Sequence, residues 1–313
     1  MNENIKKELL LVKDLINDTR KQNELIQRSR DWSKLCICID TIEDTELAIN
    51  YYLNLPSFNA FSGGYLFIYG LLQALFIQQD AIGNLYDGIF ATEDFVKELL
   101  EKSPNLKNIR EIRNYSIGHP TNRRGKSFHS IVQHSISKVS FELYSDIYGQ
   151  KDMFEEINVI QCINLQSEII AQTLNDIVIK LQEELEMHKQ RFKSDVLSDL
   201  FKHNRYCIEK LSSCLYTNNV ENGKEEYAFK QLEIIEKSFY EFVSKIEQRY
   251  GFIIDGVKYL KPKMEYVLTK IKSYESSIGL FSNTEASVLI DILNYYVKEL
   301  ETIAKEVDEE YLN

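Results

Sequence analysis

The chain has 313 residues and a mass of 36.7 kDa, long enough for two ordinary domains, and its 44% hydrophobic content supplies a real core and excludes a disordered protein. Four prolines and 12 glycines are too few for a sandwich or barrel with its many tight turns, so the composition predicts helices. Against a formal net charge of -11, a local basic cluster marks the place where an anion is meant to sit.

The opening residues carry charges throughout and contain no apolar core ending in a small-residue cleavage site, which predicts no secretory signal. No run approaches the ~18 to 20 apolar residues of a spanning helix, and the nearest, Tyr65 to Ile77, is broken by Gly70 and Gln73. The expectation is a cytoplasmic protein with no membrane partner. Residues 4 to 27 set Ile5, Leu9, Val12 and Ile16 on one helical stripe, and a second helix is predicted from 30 to 54, ended by Pro56.

A third helix, from about Tyr65 to Phe90, is apolar nearly all round in its first half and should lie in the middle of a bundle. It continues through Gln78, Gln79 and Asp80. Buried polar groups need partners, so Asp80 and Gln79 are expected to face a cation or a hydrogen-bond donor from the basic stretch thirty residues later, the alternative being that Asp80 lies on a solvated stripe. Thr92 is placed as the N-cap of a short helix through Glu101, and another helix runs from Pro104 to about Ile117. Residues 127 to 146 are rich in Val, Ile, Phe, Ser and Tyr with near alternation, which predicts a short hairpin. Long helices follow over 155 to 202, 203 to 217, 225 to 250, 258 to 276 and 284 to 310. The fold class is therefore all-α, a helical bundle with a small β-hairpin insertion, divided into a domain of residues 1–195 and a C-terminal helical domain of 196–313.

The five cysteines include no CxxC pair and no zinc-finger spacing with histidine, which predicts reduced, mostly core thiols; no metal and no cofactor are expected. His129 and His134 fall in the hairpin and pair with no Asp or Glu at metal spacing, while His188 and His203 sit on polar helical surfaces.

The basic cluster is residues 110 to 126, REIRNYSIGHPTNRRGK. Arg113 offers a rigid fork of donors suited to phosphate oxygens, and an imidazole such as that of His119 exchanges protons near neutral pH. On a continuous helix six residues advance about 600°, leaving Arg113 and His119 about 120° apart. Gly118 in a left-handed cap conformation and Pro120 after the histidine would end the helix and free His119 to turn back beside Arg113. Arg110, Arg123, Arg124 and Lys126 flank the histidine as candidate contacts to an RNA backbone.

The segment RNYSIGH, together with IDTIEDTELAINYYL and YLFIYGLLQALFIQQDAIGNL before it, resembles the R-polar-x-H signature of the HEPN superfamily over about residues 30 to 145. That resemblance implies a helical bundle whose cleft is lined by the motif, and a metal-independent RNA endonuclease of a bacterial antiviral defence or toxin–antitoxin system. Carried across, Arg113 would hold the phosphate, Asn114 would orient it, and His119 would be the general acid/base. It also implies a homodimer, since one histidine does not easily serve both sides of one phosphate, and an antitoxin or sensor protein as a further partner. Position 121 is Thr, not the Tyr that a paired nucleotidyltransferase modifies in some relatives. The alternative is a non-catalytic HEPN-like dimerisation or interaction protein in which Arg113, Asn114 and His119 cap a helix and bind a carboxylate such as Asp80.

Overall fold

The computed structural model describes residues 2–28, 31–121, 127–215, 224–273 and 283–312. The fold is all-α with one small antiparallel sheet, and the chain divides into two compact units, Met1–Gln182 and Glu183–Asn313. The sequence places the division at 195; here it falls after Gln182.

The first unit opens with α1 (Glu3–Ile16) and α2 (Thr19–Gln27) rather than the single helix expected over 4 to 27. The break is chemical. The Asp18 carboxylate accepts from the backbone N–H groups of Arg20 and Lys21, which starts a new helix at that point. Helix α3 (Asp31–Asn54) packs along α4 (Gly64–Phe90). By length and composition α4 is able to cross a bilayer, but 56% of its most apolar window is buried inside the protein, as expected of a core helix.

Helix α5 (Phe95–Lys102) is not capped by Thr92. Asp87, near the end of α4, accepts from both the Thr92 hydroxyl and the Phe95 N–H and so takes over that role. Helix α6 (Pro104–Arg113) follows, with Pro104 at its first turn where a missing N–H costs nothing.

The expected hairpin is a three-stranded sheet in the order β1 (Ser127–Ile131), β2 (Ser140–Ile147), β3 (Met153–Asn158). The third strand occupies residues that the sequence assigned to the start of a helix. Its first four side chains are exposed and only Ile157 is buried, so no apolar alternation announces it. Helix α7 (Val159–Phe192) then stops ten residues short of the expected 202, followed by a 3₁₀ turn over Leu197–Phe201.

Two apolar cores fill the first unit. One joins α1, α2 and α5 to Leu35–Ile42 of α3, Ala81–Ile89 of α4 and Ile170–Leu181 of α7. The other joins the sheet and the end of α6 to Ile49–Tyr52, Ile68–Leu75 and Val159–Ile163 of the same three helices. Between them, on each of these helices, lies a buried polar residue: Glu46 on α3, Gln78 and Gln79 on α4, and Gln166 on α7, none more than 2% exposed.

They satisfy one another. Gln79 Nε2 donates to Gln166 Oε1 (2.8 Å), Gln166 Nε2 to Gln78 Oε1 (2.8 Å) and to the Leu75 carbonyl (2.9 Å), and Gln78 Nε2 to Glu46 Oε1 (2.8 Å). Arg110 Nη1 supplies the donor for Gln79 Oε1 at 3.4 Å, and the Asn2 N–H donates to Glu46 Oε2 at 2.9 Å.

In the second unit, the 3₁₀ turn leads to α8 (Asn204–Leu215), α9 (Lys224–Tyr250), α10 (Asp255–Ser273) and α11 (Asn283–Leu312). Its core is centred on Phe239, Phe242, Ile235 and Leu293. Arg249 is 1% exposed and lies between Asp195 (3.6 Å) and Asp308 (3.7 Å), over the rings of Phe192 and Tyr311. Asp308 also accepts from the Leu197 and Ser198 N–H groups, which ties the 3₁₀ turn to α11. Cys38, Cys162 and Cys207 are buried free thiols, and burial pushes Cys162 up to about 11, so these remain protonated core residues. The Cys214 side chain lies outside the described residues.

Replacing Gln166 with leucine keeps the volume but removes the acceptor of Gln79 and the donor to Gln78. Each orphaned buried group costs about 1–3 kcal/mol, so Gln166→Leu is expected to lower the unfolding free energy by at least ~2 kcal/mol in urea titration. An unchanged midpoint would show that the polar layer contributes nothing to stability.

Candidate active site

The site grows from one face of α4. Gln73, Phe76 and Asp80 recur at helical spacing on that face, and Arg110 and Arg113 are three residues apart on α6, so the two sets meet as stacked pairs. Arg110 Nη2 binds Asp80 Oδ1 at 2.6 Å, and its guanidinium carbon lies 4.1 Å from the Phe76 ring centroid. Arg113 lies over the same ring at 4.3 Å. Its Nε and Nη2 both donate to Gln73 Oε1 (3.1 and 2.8 Å), and its Nη1 donates to Asn114 Oδ1 (3.2 Å).

The two arginines therefore differ in electrostatic state. Asp80 compensates the charge of Arg110, whereas the described partners of Arg113 are two neutral amides and a ring. The alternative in which Asp80 holds Arg113 is thus not what forms: the carboxylate belongs to Arg110. A guanidinium fixed by neutral acceptors keeps its full charge and loses little conformational freedom when an anion arrives.

After Arg113 the helix widens into a π turn over Asn114–Gly118, closed by the His119 N–H donating to the Asn114 carbonyl at 2.8 Å. Such turns are rare and often mark functional sites. His119 then leaves helical dihedrals (φ −144°, ψ 51°), as a residue before proline is biased to do.

Gly118 is not in the left-handed conformation expected of it; among the described residues the glycines with positive φ are Gly63, Gly149 and Gly251. Its absent side chain serves a different purpose. A Cβ there would sit 2.7 Å from Arg113 Nη1 and 3.4 Å from Asn114 Oδ1, so glycine is what lets the guanidinium lie against the turn.

The geometry brings together Arg113 and Asn114 through side chains and His119 through its backbone. The His119 ring is exposed and, among the described residues, makes no hydrogen bond, ion pair or ring contact. Gln79 and Asp80 hold Arg110 as described. Arg123, Arg124 and Lys126 lie outside the described residues.

Three participants escaped the sequence reading. Gln73 and Phe76 position Arg113, and the signal for Gln73 was its polarity in an otherwise apolar helical stretch. His129 is the third. It is buried, its ring is 4.0 Å from that of Tyr115 in the π turn, and its Nδ1 and Nε2 lie 2.8 and 2.9 Å from the hydroxyls of Ser145 and Ser127. That histidine fastens the sheet to the π turn. Among the described residues no group of three His, Cys, Asp or Glu is placed to hold a metal ion.

Comparison with family models, with curated proteins and with solved structures finds no match.

Gly118→Ala should move the Arg113 guanidinium off Gln73 and Asn114 without unfolding the chain, because the atom in the way ends a flexible side chain. Three hydrogen bonds donated by the guanidinium are lost, each charge-assisted and about 1.5–3 kcal/mol where water does not replace it. Faster solvent exchange of the Arg113 Nε–H by NMR is the expected signature. Gly70→Ala, where an added Cβ meets nothing within 4 Å, is the control and should leave that proton unchanged. Unaltered exchange in Gly118→Ala would refute the role assigned to the glycine.

Proposed function

We propose that this chain is a metal-independent RNA endonuclease of the HEPN type, acting in the cytoplasm in a bacterial antiviral defence or toxin–antitoxin setting. The single observation that supports this most is Arg113. Its guanidinium, with no carboxylate partner among the described residues, is held in place by Gln73, Asn114 and Phe76, at the start of a π turn followed by an exposed histidine.

In this reading the Arg113 fork takes two non-bridging oxygens of an RNA phosphate, and Asn114 keeps the fork aligned. The ribose 2′-OH attacks the phosphorus and loses its proton to a base. The bond to the 5′-oxygen breaks and an acid protonates that oxygen, leaving a 2′,3′-cyclic phosphate and a 5′-OH. His119 is one of the two proton-transfer groups, since an imidazole ring carries both a site that accepts a proton and one that gives it up. Arg113 stabilises the charge that gathers on the phosphorane oxygens.

The second proton-transfer group is His119 of a second copy in a two-fold homodimer. Ile77, which shares a shallow groove with Gln73, and Leu47, Tyr51 and Leu66 elsewhere on α3 and α4 are exposed and apolar, surface suited to such a copy. Arg110, already paired with Asp80, acts by holding Phe76 and α6 in position. An antitoxin or sensor protein would keep such an activity in check.

One observation favours the alternative, a non-catalytic dimerisation protein: among the described residues the exposed His119 ring makes no hydrogen bond or ring contact with Arg113. The two readings separate in an RNA-cleavage assay of the purified full chain in EDTA. Wild type should release 2′,3′-cyclic phosphate ends, and His119→Ala and Arg113→Ala should each lose about 10²-fold or more. Gln73→Leu, which frees the guanidinium without removing it, should lose less. Equal rates in wild type and both alanine variants, or no cleavage by any of them, would leave the non-catalytic reading standing.

A further inference from the structure

The outward face of the small sheet is apolar, acidic and uncovered. Cross-strand register puts Phe128 opposite Asp146, Ser130 opposite Tyr144, Tyr144 opposite Phe154, and Glu142 opposite Glu156, and directly opposed residues share a face. Phe128 is 53% and Phe154 64% exposed, and the Tyr144 and Phe154 rings lie 5.2 Å apart. Tyr144 and Phe154 thus stand directly opposite each other, with Phe128 diagonal to Tyr144, one aromatic side chain on each strand.

The charges along β2 and β3 are mostly negative. Between Ser140 and Asn158 the chain has five carboxylates and one lysine. Glu142 and Glu156 face each other directly, a like-charged pairing that costs stability, and no described cation pairs with either. Asp146 and Asp152 raise the pKa of the Tyr144 phenol, their effect second only to that of desolvation. The strand order leaves β3 at an edge, and no described backbone group pairs with its outer side. A bare edge of this kind is a template for another strand.

We propose that this face and the free edge of β3 dock an extended, lysine- and arginine-bearing segment of a protein partner. Its backbone adds to β3 as a fourth strand. On one face of that strand, alternate cationic side chains reach the Glu142–Glu156 pair and lie over the Tyr144 and Phe154 rings, where cation–π attraction adds to the ion pairing. A nucleic acid is the wrong occupant here: aromatic rings would stack its bases, but the carboxylates among them repel its phosphates. The surface is distinct from the Arg113 site and stands whether or not that site cleaves RNA.

The test is selection of random peptides on the purified full chain, followed by binding of one selected synthetic peptide by fluorescence anisotropy. Selected peptides should carry Lys or Arg at alternate positions among β-branched residues, and binding should weaken as salt is raised. Phe154→Ser and the double change Glu142→Lys with Glu156→Lys should each reduce affinity at least about tenfold, with unaltered melting, since all three side chains are exposed. No enrichment, enrichment of acidic or unpatterned peptides, or equal affinity in both variants would overturn the proposal. So would a single-stranded RNA oligonucleotide whose binding is lost in Phe154→Ser.

Discussion

Arg110 donates to Gln79, Gln79 to Gln166, Gln166 to Gln78, and Gln78 to Glu46, so a buried chain of hydrogen bonds runs from a cation to an anion. Its direction is forced. A guanidinium only donates and a carboxylate only accepts, so every amide between them must accept on the Arg110 side and donate on the Glu46 side. In a low-dielectric interior such a chain polarises along its length, and any slip of one helix leaves a buried group without a partner. Four helices, α3, α4, α6 and α7, are held in one register by it, with an apolar core on each side.

The candidate site inherits that register. Arg110 ends the chain and also pairs with Asp80, which sets the rotation of α6 against α4 and places Arg113 over Phe76 and within reach of Gln73. The layer and the site share a division of labour: Asp80 neutralises one arginine, while the described partners of the second are neutral amides and a ring, which leave its charge unpaired among the described residues. The π turn and Gly118 then provide the room in which that guanidinium lies, and the His129 contacts with Tyr115, Ser127 and Ser145 fasten the sheet behind the turn.

Much of this was legible in the residues. The long helices follow from stripes such as Ile5, Leu9, Val12 and Ile16, and the need for partners at Gln79 and Asp80 follows from their place in an apolar helix. Other features were not, for physical reasons that differ from case to case. The break at Asp18 hid inside a continuous apolar stripe, because a cap changes the backbone without changing the period. Strand β3 hid because an edge strand with four exposed side chains shows no alternation. Glu46 and Gln166 are single polar residues on otherwise amphipathic helices, and only the packing shows that they face one another. Gly118 read as a turn glycine, since a sequence does not distinguish a glycine needed for its φ from one needed for its missing Cβ. The partition of Arg110 and Arg113 between Asp80 and Gln73 depends on how two helices are rotated, which no local pattern encodes.

The central claim is that Arg113 and His119 meet the same phosphate. It is tested most directly by NMR titration of the full chain with an RNA made uncleavable by 2′-O-methylation, following the Arg113 Nε–H and the His119 ring resonances together. The account predicts that both move in one titration with one apparent affinity, and that Arg113→Ala abolishes the His119 shift. Movement of either group alone, or shifts confined to surfaces away from the π turn, would contradict it.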